Sequence, residues 1–418
     1  MVLFLTIQVT SVQTFAGHKF AEYLSDRLNT KVEIGSIRFS FFKRLELTDV
    51  FVQDLHNDTL LYSQKLNVGL KDIDIENGIV NIRSVSVLNT KAKLIKYAAD
   101  DDFNFQFIID AFASKTPKPK TKSPDLFLRC DEVTFVNTDF SFKNEHDTLN
   151  TRGINYFDLR VRNINGHVSD IAIEKDTIRG TINYLAGIEK SGFTLNDFSS
   201  YVRVSPIEIQ LDELKIKTPE SDIETDLSFK YDTYRDFRDF IEKVKFKAEF
   251  KNSILEMNDI SYFADDLHGL YQRIDVSGKV SGTVSDLRGK GLKLNIGKST
   301  TFDGDVTLTG LPKIEETLIY LTVKSLTTNY KDLTRLPIPP FDKQKKLELP
   351  SNIAYLGDIH FKGTFTGLYN DFYAYGDLNS ALGALSSDIA VRHDYEKDKE
   401  FYKGKLKSTS FDFGKFLR

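Results

Sequence analysis

The sequence predicts a mostly β chain with an N-terminal helix and a few short helices, and three observations carry that expectation. Apolar residues recur with a period of two over many short runs. The aromatic supply is 33 Phe and 18 Tyr with no Trp, and with Ile and Val these are the residue types that suit a pleated, half-buried surface. Only ten prolines occur in 418 residues, which leaves long strands uninterrupted. That length accommodates two or three ordinary domains or one elongated, repetitive one.

The chain opens with an apolar run of Val2, Leu3, Phe4, Leu5, Ile7 and Val9. The run is shorter than the about 20 residues that cross a bilayer, and it lacks the basic start of a secretory signal. It reads as a core strand or as the last half of a membrane anchor, and the anchor is the expectation carried forward. Helical spacing follows, with Phe15, Phe20, Tyr23, Leu24 and Leu28 on one side and Lys19, Glu22 and Asp26 on the other. Asn29 closes the helix as a C-cap.

From Lys31 the period changes to two. Val32, Ile34, Ile37, Phe39 and Phe41 alternate with polar neighbours, Gly35 marks a bulge or bend, and Leu45, Leu47, Val50 and Val52 repeat the pattern. Ile73 and Ile75, then Asn77 and Gly78, then Val80 and Ile82 predict a hairpin with a type I′ turn. A dense aromatic cluster spans Phe103, Phe105, Phe107 and Phe112. Directly after it, residues 114–124 are rich in Pro and Lys and almost free of apolar side chains, which predicts a solvated linker or loop.

Short alternating runs then continue to the end. Phe135, Phe140 and Phe142 belong to one group, and Ile207, Ile209 and Leu211 follow. Leu227 with Phe229, Phe246 with Phe250, Leu292 with Leu294, and Val306 with Leu308 extend the series. Tyr234, Phe237, Ile241 and Val244 have helical spacing, as do Ile260, Phe263 and Leu267 behind Asp259 as an N-cap. Pro337 to Pro350 is a candidate hinge. A weak repeat is present: residues 282–287 resemble 363–368, and 305–308 resemble 388–391, which predicts similar strand blocks added along one axis. The expected divisions are 1–29 (partial anchor and amphipathic helix), 30–113 (N-terminal β region), 114–124 (linker or loop) and 125–418, with repeats near 276–310 and 359–393.

Chemistry-bearing motifs are sparse. The net charge of −4 argues against a nucleic-acid partner. The seven histidines are scattered, without metal-ligand spacing or a nucleophile beside them. Gly297, Lys298 and Ser299 resemble the end of a phosphate-binding loop, but the first glycine of that motif is misplaced and the preceding residues alternate as a strand. Asp100, Asp101 and Asp102 lack the ligand alternation of a calcium loop and read as a charged tip. Cys130 is the only cysteine, which rules out an internal disulfide framework and predicts a small buried hydrophobe. No catalytic residue, metal site or cofactor is expected.

Several stretches together resemble the TamB proteins of the AsmA-like group. They are the apolar start, the helix through Phe20, Tyr23 and Leu24, and Lys31 to Gly35. Arg44, Leu45, Glu46, Leu47, Asp49 and Val50, the Asn104 to Phe112 cluster and the Asp259 to Leu267 segment complete the set. The resemblance implies the membrane-proximal part of a longer envelope protein, anchored in the inner membrane with its body in the periplasm. It implies an elongated sheet curled into a groove that passes phospholipid acyl chains toward the outer membrane or supports outer-membrane protein assembly and secretion. A C-terminal domain, expected to be absent from this sequence, would meet an outer-membrane barrel-assembly protein. On this expectation Ile34, Phe39, Phe135, Phe140, Phe142, Ile209, Phe229, Phe246, Leu294, Leu308 and Phe361 face the lipid, and the protein is not an enzyme. The alternative is an extracellular adhesin or structural β-rod with a filled core, because sequence periodicity is the same for an open sheet and for a sandwich. A hydrolase would need a cleft with paired carboxylates, and no pairing is readable from the sequence.

Overall fold

The computed structural model describes residues 10–40, 44–74, 79–112, 127–147, 151–394, 399–408 and 410–417. Strands hold 60% of the chain against 16% for helices, and the sheet is mixed, curled and not closed, which is the fold class that the period-two pattern predicts. The apolar run before Thr10, Phe41, and residues 114–124 lie outside the described residues. Two compact units are present: residues 1–205 with 216–219, and residues 206–215 with 220–418.

The first unit opens with α1 (Thr10–Leu28), β1 (Val32–Glu33), β2 (Ser36–Ser40), β3 (Arg44–Gln53), β4 (Thr59–Asp74) and β5 (Ile79–Lys96). After α2 (Gln106–Phe112) come β6 (Phe127–Asn144), β7 (Asp158–Glu174), β8 (Thr177–Glu189), β9 (Thr194–Leu195) and β10 (Asp197–Ser205). The C-cap of α1 is as expected. Asn29 has φ 51° and the Thr30 N–H donates to the Ser25 carbonyl at 3.2 Å, the left-handed closure of a helix.

The single apolar side expected for α1 divides in two. Ala21 and Leu24 pack on Ile34, Ile37, Leu45, Leu47, Val50 and Val52, whereas Phe15, Phe20 and Tyr23 point outward. The reason is steric: a Cβ on Gly17 would stand 3.2 Å from the Ile37 nitrogen. Only small residues let the helix lie that close to the sheet.

Ile73 pairs with Val80, so β4 and β5 form the expected antiparallel hairpin, with its turn at 75–78 outside the described residues. β5 and β6 pair in parallel from Ile79 opposite Phe127 to Lys96 opposite Asn144. Parallel neighbours require a crossover, so residues 114–124 fall in a connection between two paired strands of the same unit. The two units divide elsewhere, near residues 205–220.

The second unit contains most of β11 (Glu208–Lys217), then β12 (Asp222–Lys230), β13 (Lys245–Glu256), β14 (Arg273–Gly282), β15 (Asp286–Ile296) and β16 (Thr300–Thr309). It ends with β17 (Leu318–Asn329), β18 (Asp358–Gly367), β19 (Phe372–Ser380), β20 (Gly383–Asp394) and β21 (Lys399–Ser408). From β12 onward each strand pairs antiparallel with the next. Helical turns at 234–243 stand where expected. In the second helical piece the N-cap is Glu256, not Asp259. Asp259 lies inside the turn and accepts the Ser221 hydroxyl at 2.6 Å.

The expected hinge at 337–350 is packed: Phe341 is buried and Gln344 Nε2 donates to the Gly269 carbonyl at 3.0 Å. The repeat has a different register in its first half. Gly282 pairs with Leu287 across one strand connection and Gly367 pairs with Phe372 across another of equal length. In the second half, Leu308 opposite Leu287 matches Val391 opposite Phe372, as read from the sequence.

Candidate functional site

The ladders place the apolar residues in continuous rows, since directly paired residues share a face of the sheet. In the second unit one row runs through Leu227, Ala248, Val280, Gly289, Val306, Leu321, Phe365, Ala374 and Ile389. A parallel row holds Phe229, Phe246, Gly282, Leu287, Leu308, Ile319, Gly367, Phe372 and Val391. Val276, Leu294, Phe302, Leu326, Phe361, Leu378 and Leu385 form another. Of the predicted lipid-facing residues, Phe229, Phe246 and Leu308 therefore share one row, and Leu294 and Phe361 share another. Ile209 is half-buried.

In the first unit Leu47, Leu66, Val87 and Phe135 form a row, and Val52, Leu61, Ala92 and Phe140 a second. Leu47 and Val52 pack on the same cluster beneath α1, so both rows lie on one face. Phe135 and Phe140 are an odd number of residues apart and would face opposite ways in a regular strand. Asn137, with φ 48°, removes that conflict by shifting the alternation one place. Phe142 continues the series, opposite Leu94 and Leu159, with its ring 5.4 Å from that of Phe103. Phe39 pairs with Leu45 and is exposed, whereas Ile34 is buried beneath α1 and has no open surface to offer.

These rows are shielded chiefly by their own neighbours. Apart from Leu47, Ala248, Val276 and Val391, the side chains of these rows are half-buried, not buried. A sandwich would bury such rows completely. Among the described residues buried apolar side chains form two clusters, one under α1 and one at Leu356, Ile359 and Leu382, and others, such as Leu214, Val244 and Val276, are buried outside them. Short segments border the rows: the Phe240 ring lies tilted 5.9 Å from that of Phe229, and Leu333 and Ile353 pack at the Ile359 end. The opposite face is polar, with shallow hollows such as that lined by Gln210, Asp212, Asp226, Lys247, Lys279 and Lys290.

One polar cluster was not readable from the sequence. Asp54 is fully buried in the first unit and accepts four bonds: from the His56 and Asp58 N–H groups, the Tyr97 hydroxyl and Asn104 Nδ2, at 2.8–3.0 Å. His56 Nε2 lies 2.6 Å from Asp100 Oδ2, and its ring lies 4.0 Å from that of Tyr97. His146 Nε2 faces the Tyr97 and Asp100 carbonyls at 2.9 and 2.7 Å, which makes it the donor. Burial and the neighbouring Asp54 carboxylate push the Tyr97 hydroxyl far above its usual range. The cluster fixes the segment that leads into α2; the antiparallel β3–β4–β5 order sets Asp54 and His56 beside Tyr97 and Asn104, and the crossover to β6 adds His146. Cys130 is buried, its thiol pushed up by burial and donating to the Glu132 carbonyl at 3.3 Å. Gly297 to Thr300 form the β15–β16 hairpin turn, held by the Ser299 N–H on Asp332 Oδ2 at 2.7 Å.

Among the described residues no group of His, Cys, Asp and Glu could hold a metal ion, and no helix is long and apolar enough to cross a membrane. No protein-family model, curated protein or solved structure matches the chain.

Proposed function

We propose that the chain is the membrane-proximal part of a non-enzymatic envelope protein of the TamB and AsmA-like kind, located between the inner and outer bacterial membranes. Its uncovered apolar face carries phospholipid acyl chains, and through that role supports outer-membrane assembly. The observation that carries this reading is the set of apolar rows in the second unit, half-buried over most of their length, on which no second layer of strands packs among the described residues. An acyl chain laid along such a row gains about 0.8 kcal/mol per methylene removed from water. A filled-core adhesin would bury the same side chains. Anchoring in the inner membrane and contact with an outer-membrane barrel-assembly protein belong to the proposal, and the second is assigned to no residue here.

The test is a photo-crosslinking amino acid placed in the full-length protein in cells. Leu321 and Phe365 are paired on the apolar face; Tyr320 and Thr366, their chain neighbours, are paired on the polar one. Phospholipid adducts are expected at the first pair alone. Equal labelling of both pairs, or none at either, overturns the reading.

A further inference from the structure

We propose that a row of arginines on the polar face of the first unit is a binding site for a phosphate monoester group. The row lies on the opposite side of the sheet from the apolar rows, so the site stands whether or not those rows carry acyl chains.

The ladders set Arg129 of β6 opposite Ala172 of β7, Ala172 opposite Arg179 of β8, and Arg179 opposite Arg203 of β10. Leu128, Ile173, Ile178 and Val204 form the next row, and strand alternation turns them to the other face. Ala172 is buried and makes a low floor between two long side chains. Beside it is a hollow of about 580 Å³ whose lining includes Phe127, Glu174, Lys175 and Tyr201 together with Arg179 and Arg203.

Like charges directly opposite each other weaken a ladder, yet Arg179 faces Arg203 and a single carboxylate serves the row. Glu174 Oε1 takes Arg179 Nη2 at 2.9 Å and Arg129 Nη2 at 3.4 Å. Arg203 is exposed, and among the described residues no carboxylate pairs with it. Other acids nearby do not fill the gap: Asp131 is held by Lys71 at 3.3 Å, and Asp176 does not line the hollow.

Three arginines against one carboxylate leave two positive charges unbalanced. A phosphate monoester carries close to that charge at neutral pH and offers three strong acceptor oxygens. A carboxylate carries half of it. Guanidinium forks match phosphate oxygens in pairs, and such a group also offsets the repulsion between Arg179 and Arg203. Phe127 and Tyr201, half-covered at the margin, give the organic part of the ester a surface to rest on.

A soluble phosphate ester and a lipid phosphate headgroup share this chemistry, and two probes separate them. The full chain is titrated with phenyl phosphate at fixed ionic strength, with phosphorus NMR of the ligand as the readout. It is also sedimented with phosphatidylcholine vesicles with and without phosphatidic acid. Arg203→Gln is expected to weaken binding by about tenfold or more, as loss of a charge-assisted contact does. Glu174→Gln removes the competing carboxylate and is expected to tighten it. Without ligand, Arg203→Gln is expected to melt no lower than the parent, because a like-charge pair is gone. Its lost binding is then not lost folding. Lys290→Gln, on the polar face of the second unit, is expected to change nothing.

Binding of phenyl phosphate assigns a soluble ester, and sedimentation that needs both phosphatidic acid and Arg203 assigns the headgroup. Failure of both probes overturns the proposal. So does equal weakening by Lys290→Gln and Arg203→Gln, which is general charge attraction, or equal binding of benzoate, which carries a single charge. Failure of lipid crosslinking at Leu321 and Phe365 would sink the groove and leave this site standing.

Discussion

Asn89 and Asn137 lie side by side between the paired residues Leu88/Val136 and Thr90/Thr138 of the parallel β5–β6 ladder. Both have φ 48°, and Asn137 Nδ2 donates to Asn89 Oδ1 at 2.6 Å. Asn89 reaches on to Gln64, and the Asn137 N–H donates to Asn165 Oδ1 at 3.0 Å, so an amide ladder crosses β4 to β7. At these left-handed residues the alternation shifts one place, which keeps Val87 and Ala92, and Phe135 and Phe140, on one face.

A left-handed non-glycine residue costs about 1–2 kcal/mol, least for Asn, whose short amide bonds locally. Asn137→Val is expected to lower stability by about 2 kcal/mol, because a β-branched residue tolerates that backbone worst. Asn137→Gly keeps the conformation and loses only the side-chain bonds, about 1 kcal/mol. Urea midpoints rank the three proteins. Equal loss in both variants would mean that backbone conformation is not what Asn137 supplies.

Ile34 and Phe39 separate core from open face. Ile34 is 3% exposed beneath α1, and Ile34→Ala is expected to cost about 2–4 kcal/mol through the cavity left behind. Phe39 is 43% exposed, and Phe39→Ala is expected to cost less than about 1.5 kcal/mol. Chemical denaturation of the two variants provides the comparison, and a reversed order would place α1 elsewhere.

The alternation was legible, but its one-place shifts were passed over as continued period two although they leave a trace in the chain. Leu45, Leu47, Val50 and Val52, and likewise Phe135, Thr138, Phe140 and Phe142, show the three-residue step in plain sequence, and Asn-Thr at 89–90 and 137–138 signs it. The direction of α1's aromatics was not legible, because Ala21 and Phe20 both read as apolar and only close approach to the sheet selects the smaller. Ile34 was misjudged for the same reason: a strand pattern does not say what lies over it. The cluster around Asp54 was hidden because His56 meets Tyr97 and Asn104 only through the pairing of β4 with β5, and His146 joins them only through the crossover to β6, neither of which spacing reveals.

Glu256 provides the pH dependence. Burial raises its carboxyl above the usual value, outweighing the N–H groups of Asn258 and Gln272, and the Asp259 and Glu220 charges add to the rise. The folded state therefore holds this proton more tightly than the unfolded chain. The stability so gained is complete below the unfolded value, about 4.3, and is lost as pH rises through the folded one. Glu256→Gln does not titrate. Its melting temperature relative to the parent is expected to rise between acid and neutral pH; a difference that stays flat across that range would contradict the assignment.

The last prediction uses two neighbours on opposite faces of β16. Leu308 is half-buried in an apolar row, and Thr307 pairs with Arg288 and Tyr320 on the polar side. With no layer opposite, an aspartate at 308 turns into solvent, so Leu308→Asp is expected to cost only about 1–2 kcal/mol, part of the value of a fully buried leucine. It also interrupts the strip an acyl chain would lie on, and binding of a fluorescent phospholipid is expected to fall several-fold. Thr307→Asp is expected to change neither quantity. If the space over Leu308 were filled by protein, Leu308→Asp would bury an unpaired carboxylate at a cost of several kcal/mol, with no lipid binding to lose. Thermal denaturation and lipid titration of these two variants separate an open apolar face from a packed one.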